Sequence, residues 1–172
     1  VIDDIADDEL TTATLMPGIS VVGEIDVIAD RDWFRLEMEA NQAYEIRVEL
    51  SEGTLDDSVL SIYSADGDSL LAIDDDGGRG LGSTVSYFST TPTVVFAEVT
   101  GHGSNVGTYR VIAEEIELED DDHFDFFSLG TPIALNASVP GIIDFAADND
   151  WFQFQAEAGV LYAASVDTIS LS

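Results

Sequence analysis

"ADRDWFRLEMEA", residues 29 to 40, sets an acidic turn directly before an aromatic pair, and "AADNDWFQFQAEA", residues 146 to 158, repeats the phrase. The shared core is Asp-x-Asp-Trp-Phe, formed by Asp30, Asp32, Trp33 and Phe34 and again by Asp148, Asp150, Trp151 and Phe152. Sliding the chain against itself by 118 positions superposes these residues, together with Gly23 on Gly141, Ile25 on Ile143, Asp26 on Asp144 and Tyr44 on Tyr162. Over residues 20 to 48, 14 of 29 ungapped positions are identical, where unrelated segments give roughly two. The upstream acids obey the same shift, Asp3, Asp4 and Asp7 falling on Asp121, Asp122 and Asp125. The pattern predicts a complete first module over residues 1–116 and a second copy over 117–172 that stops about halfway.

Inside the unit the hydrophobic period is two, as in half-buried strands. Phe34, Leu36 and Met38 alternate with Arg35, Glu37 and Glu39, and Tyr44, Ile46, Val48 and Leu50 alternate with Glu45, Arg47 and Glu49. Further strands are expected near 59 to 63, 84 to 89, 93 to 99 and 108 to 114, separated by turn clusters such as "SADGDS" and "DDDGGRGLG". No stretch reads as helix. About eight short strands at this spacing predict an all-β fold, an antiparallel β-sandwich of jelly-roll type in tandem repeat. The second copy holds the equivalents of only the first four strands. A half sandwich exposes apolar faces and unpaired edges, so the second copy is expected to be cut short, mobile, or completed by another chain through strand donation.

The balance of charge is extreme: 35 acids stand against five arginines and no lysine, for a formal net charge of -30. Such a surface repels nucleic acid and anionic membranes and repels itself unless cations or salt screen it. With 45% hydrophobic residues a core is nevertheless available. The absence of cysteine excludes disulfides, thiol chemistry and cysteine-based zinc sites. No apolar run approaches the ~18 residues of a membrane span, and the opening at Val1, with neither an initiator Met nor a signal segment, reads as a mature or excised piece.

Calcium takes six to eight oxygen ligands, and the acidic turns offer them. Asp30 and Asp32 stand in the first turn and Asp148 and Asp150 in the second, with Asp26 and Asp144 just upstream. The segment leading into the second copy, "ELEDDDHFD", adds Glu117, Glu119, Asp121 and Asp122, whose first-copy counterparts are Asp3 and Asp4. If lead-in and turn meet at the sandwich edge, their carboxylates repel one another unless a cation lies between them. The competing reading is that these aspartates cap turns by accepting nearby backbone amides, and it is preferred for Asp26 and Asp144. "DDDGG", 74 to 78, and "DGD", 66 to 68, fit neither an EF-hand nor an RTX repeat and read as hairpin turns. For Trp33 and Trp151 core packing is the default, and an outward ring is the alternative, a platform for sugar or peptide.

Catalytic signals are weak. His102 and His123 stand in no motif with a nucleophile and read as solvated side chains, and no G-x-S-x-G, H-E-x-x-H or phosphate loop is present. With 35 acids, carboxylate pairs carry no information about glycosidase chemistry, and the sequon at Asn136 is equally uninformative.

The order of acidic lead-in, "VVGEIDVIADRDWFRLEMEANQAYEIRVEL", "DSVLSIYSADGDSLLAIDDDGG" and "TVVFAEVTGHGSNVGTYRVIAEE" resembles the bacterial pre-peptidase C-terminal domain, with its small turn, D-x-D-[WFY]-[FY] and later G-x-Y. The resemblance covers 1 to about 116 fully and 117 to 172 as a front half. It implies a β-sandwich appended to secreted peptidases and other large extracellular proteins. The related collagen-binding modules of clostridial collagenases bind calcium with the acidic lead-in and the turn before the aromatic pair. That implies Glu117, Glu119, Asp121 and Asp122 with Asp148 and Asp150, and Asp3 and Asp4 with Asp30 and Asp32, as ligands. The expected function is a noncatalytic, calcium-stabilised module of a secreted or cell-surface protein, acting as spacer, stabiliser or binding element. The alternatives are an adhesin binding surface polysaccharide or protein through an exposed aromatic face, an accessory fragment of a secreted peptidase, and a subunit that self-associates through its half module.

Overall fold

A computed structural model describes residues 4–116, 123, 130–143 and 150–167. The chain divides into two compact units, Val1–Asp120 and Asp121–Ser172. No helix occurs among the described residues.

Unit 1 is built from β1 (Thr14–Leu15), β2 (Val21–Ile25), β3 (Asp32–Met38), β4 (Gln42–Glu49), β5 (Ser58–Tyr63), β6 (Leu70–Asp74), β7 (Thr84–Ser89), β8 (Thr93–Gly101) and β9 (Gly107–Ile116). One sheet has the order β1-β3-β8-β5-β6 and the other β2-β9-β4-β7. Apart from the β5–β6 hairpin, successive strands from β2 onward alternate between the sheets. This interleaving is the jelly roll expected from the strand spacing. The lead-in runs beside β3: Trp33 N–H donates to Ala6 O at 3.1 Å, and β1 then pairs with β3 in parallel.

The predicted alternation sorts the side chains. Phe34, Leu36 and Met38 of β3 face Tyr44, Ile46 and Val48 of β4 and Tyr109, Val111 and Ala113 of β9 in one buried cluster. Arg47 on the outer face of β4 gathers Glu45 at 2.7 Å and Glu114 at 2.6 Å. The Trp-Phe pair splits across the sheet as strict alternation requires. Phe34 is in the core, and Trp33 lies on the opposite face, stacked on Tyr63 with ring centroids 4.8 Å apart and bonded through Nε1 to Glu98 at 2.9 Å. Since Trp33 is only 6% exposed, it is not the open aromatic platform of the adhesin alternative.

The two acidic loops part company. "DGD" closes the β5–β6 hairpin, with Gly67 at φ 74° and Asp66 Oδ1 accepting the Asp68 amide at 3.1 Å. "DDDGG" does not make a hairpin. It opens the crossover from β6 in one sheet to β7 in the other, and Asp74 Oδ2 holds that corner by accepting the amides of Gly77 and Thr84 at 2.8 Å each.

Unit 2 contains β10 (Thr131–Pro132) and β11 (Phe152–Gln153), paired in parallel. Thr131 stands opposite Phe152, and in unit 1 Thr14 stands opposite Arg35, at the same sequence separation.

Because Phe34 fills the space between the sheets, Phe34→Ala is expected to cost about 3–5 kcal/mol, read as a lowered urea midpoint. Val22→Ala, on a strand residue 64% exposed, should stay within about 0.5 kcal/mol of the parent.

Candidate metal centre

The turn that precedes β3 is held by Asp30. Its Oδ2 accepts the Asp26 amide at 2.6 Å and its Oδ1 the Arg31 amide at 3.0 Å. Turn-forming work expected of Asp26 is therefore done by Asp30, whose carboxylate closes the loop back on Asp26. Arg31 turns away, and its guanidinium is bound to the buried Glu98 at 2.9 Å.

Asp32 is the first residue of β3 and points inward, fully buried. Tyr109 on β9 donates its phenolic proton to Asp32 Oδ2. The two residues belong to different sheets, so this bond crosses the sandwich. Gly23 on β2 is the register partner of Tyr109, and a Cβ at Gly23 would meet the Tyr109 hydroxyl and come within 2.9 Å of Asp32 Oδ2. The glycine is the space in which the bond is made.

Burial pushes the Tyr109 phenol well above its ordinary pKa. The charge on Asp32 and the hydrogen bond to it add to the shift, and the charges of Asp4 and Asp30 act in the same direction. Of the three carboxylates, Asp32 alone is in contact with the hydroxyl. The lead-in and the turn meet at this corner, as the Ala6–Trp33 hydrogen bond also requires. Among the described residues Asp4, Asp30 and Asp32 do not each bring an oxygen within 4.8 Å of the others, the spacing that Asp57, Asp75 and His102 do reach; the carboxylates at this corner are acceptors only, the donor type that a hard cation takes.

Asp3, Glu117, Glu119, Asp121, Asp122 and Asp148 lie outside the described residues. In unit 2 the described candidate is Asp150. Its Oδ2 would be 2.6 Å from a Cβ on Gly141, so the close glycine–aspartate approach of Gly23 and Asp32 recurs. His123 is not a solvated side chain: it is buried, with Nδ1 2.8 Å from Thr131 Oγ1, Nε2 2.7 Å from Pro140 O and its ring edge-on to Phe152.

His102 is solvent-exposed, as expected, yet it has partners. It is engaged by Asp57 Oδ2 at 3.0 Å and approached by Asp75 Oδ2 at 4.0 Å. The Asp57 hydrogen bond, then the charges of Asp75 and Asp57, raise its pKa. No linear motif joins these three residues. The available signal was the strand register, in which Asp57 just before β5 faces His102 just after β8.

No family model matches the chain, and no curated protein matches it. Among solved structures, the pre-peptidase C-terminal domain of a collagenase from Bacillus anthracis is similar at 13% identity and a TM-score of 0.47, over 59% of this chain and 93% of that one. The periplasmic inhibitor of g-type lysozyme from Aeromonas hydrophila is similar at 9% identity and a TM-score of 0.43, over 59% of this chain and 95% of that one. The sandwich described above is defined by this chain's own strand pairing and by neither likeness.

Tyr109→Phe withdraws a donor from a buried carboxylate and is expected to cost about 1–3 kcal/mol. Gly23→Ala overpacks the same spot at a similar cost of about 1–3 kcal/mol. In a double-mutant cycle followed by urea denaturation the two should couple by at least about 0.5 kcal/mol, because both act on the contact between the Tyr109 ring and the Asp32 carboxylate.

Proposed function

We propose that this chain is a noncatalytic, calcium-stabilised β-sandwich module of a secreted or cell-surface protein, serving as a spacer, stabiliser or binding element. The observation that supports the reading is the buried Asp32 carboxylate at the start of β3, with Asp30 in the turn before it and the lead-in hydrogen-bonded alongside from Ala6 to Trp33. A buried carboxylate with other acids near it raises the free energy of the folded state, and a divalent cation there reverses the sign. In the same reading Asp3 completes the first set. Glu117, Glu119, Asp121 and Asp122 with Asp148 and Asp150 form the second, in a partial repeat of the module. A calcium-dependent module fits the outside of the cell, where sites are tuned to dissociation constants of roughly 0.1 to 1 mM.

A second reading, self-association through unit 2, is favoured by one comparison. Residues that unit 1 buries have counterparts in unit 2 that stand open: Ile25 is 1% exposed and Ile143 65%, and Trp33 is 6% exposed and Trp151 46%. Phe152 and Phe154 are exposed as well. Strands supplied by a neighbouring chain would cover such a face. Light scattering at high protein concentration decides it: assemblies larger than one chain are expected, and monomers throughout would exclude it.

For the calcium reading, thermal denaturation with calcium and with chelator is the test. At a calcium concentration ten times the dissociation constant the ion contributes about 1.4 kcal/mol, a rise in Tm of about 5 °C over the chelated protein. Asp32→Asn should remove most of that difference. A Tm indifferent to chelation in the unsubstituted chain would overturn the proposal.

A further inference from the structure

Asp57, Asp75 and His102 are placed by three different loops at one end of unit 1. Asp57 and His102 extend the β5–β8 ladder: Ser58 is the partner of Gly101, and the His102 amide donates to Asp57 O at 3.1 Å. Asp75 belongs to the crossover between the sheets. Its carbonyl lies 3.1 Å from Ser83 Oγ, which is also 2.8 Å from Ser58 O, and both serines are fully buried. The backbone of all three ligand-bearing residues is therefore fixed by bonds that owe nothing to their side chains.

The side chains converge. One ligand atom from each, a carboxylate oxygen from Asp57 and Asp75 and a ring nitrogen from His102, lies within 4.8 Å of the others. Independently of this spacing, each of the two carboxylates keeps an oxygen, Asp57 Oδ1 and Asp75 Oδ1, that is shielded from solvent and accepts no hydrogen bond. A buried acceptor left without a donor costs about 1–3 kcal/mol, and more when charged. Two of them from neighbouring carboxylates at one site call for a positive partner.

We propose that Asp57, Asp75 and His102 form a site for a divalent metal of the zinc class, separate from the calcium corner at Asp32. The donor set decides the class. Calcium seeks six to eight oxygens, whereas an imidazole nitrogen with two carboxylates suits zinc and its first-row neighbours. Three protein ligands leave a coordination position for water on the side where His102 is exposed. Zinc bonds of about 2.0–2.2 Å require the ligand atoms to close by roughly 1 Å, which the exposed imidazole can supply by rotating. The bound ion would clip the β5–β8 edge to the crossover that leads into the opposite sheet.

Cobalt(II) is the probe, added to the full chain after chelation and in high salt to screen the general acidic surface. One equivalent should give visible bands stronger than those of the hydrated ion, and zinc should abolish them. His102→Gln, a change at an exposed position, should weaken cobalt binding at least tenfold, and Asp75→Asn likewise. Asp32→Asn should leave the bands intact while removing the calcium response, so the two sites fail separately. Cobalt bound equally by the parent and by His102→Gln, or no bands beyond the hydrated ion, would reduce the cluster to a hydrogen-bonded loop contact and overturn the proposal.

Discussion

The hydrogen bond from Tyr109 to Asp32 is the constraint around which unit 1 is arranged. It sets a carboxylate inside the sandwich, on the face that otherwise carries Phe34, Leu36 and Met38. A charge in that position is tolerated only if it is met by a donor or a cation. The donor comes from the opposite sheet, so the bond fixes how β3 and β9 lie across each other. Gly23 provides the clearance. Gly107 begins β9 at φ 142° with the backbone of Thr54 and Leu55 packed against it, at 2.6 Å from where a Cβ would stand. The D-x-D and G-x-Y phrases, 77 residues apart, are thus two halves of one interaction.

Charge is apportioned by element. The arginines on and beside the strands pair with acids: Arg35 with Glu37, Arg47 with Glu45 and Glu114, Arg110 with Glu52 of the loop after β4, and Arg31 of the turn before β3 with Glu98. Most of these are surface contacts worth a fraction of a kcal/mol each. Aspartates at the loops and corners follow another rule. Some, such as Asp30, Asp66 and Asp74, are absorbed by backbone amides. Asp32 instead meets Tyr109 inside the sandwich, and Asp57 and Asp75 meet His102. A chain with a formal net charge of -30 reduces its self-repulsion most by binding cations where the acids are closest.

The two units show what burial of the Trp-Phe phrase depends on. In unit 1 the strands from β5 to β9 supply the inner layer for Phe34 and, for Trp33, the stacked ring of Tyr63 and the tilted ring of Phe96. In unit 2 the same residue types, with the same parallel pairing beside them, remain exposed. The local phrase specifies a strand and its two faces. It does not by itself specify a core.

Much of this was legible in the sequence. Period-two alternation located β3 and β4, because side chains of a strand point to opposite faces wherever it lies, and the strands expected near 59 to 63, 84 to 89, 93 to 99 and 108 to 114 are β5, β7, β8 and β9; β6, an edge strand with little buried alternation, was not among them. The phrase Asp-x-Asp-Trp-Phe marked the corner that the structure builds. Sequence could not tell which aspartate caps the turn and which enters the core, since Asp30 and Asp32 are chemically identical and differ in that Asp30 stands in the turn before β3 while Asp32 is the strand's first residue. Nor could it show that "DDDGG" crosses between sheets, that Trp33 is covered on the outer face, or that His102 meets Asp57 and Asp75. Those facts depend on long-range register between strands, and a residue's partner across a ladder is set by the pairing of whole strands, which no local spacing encodes.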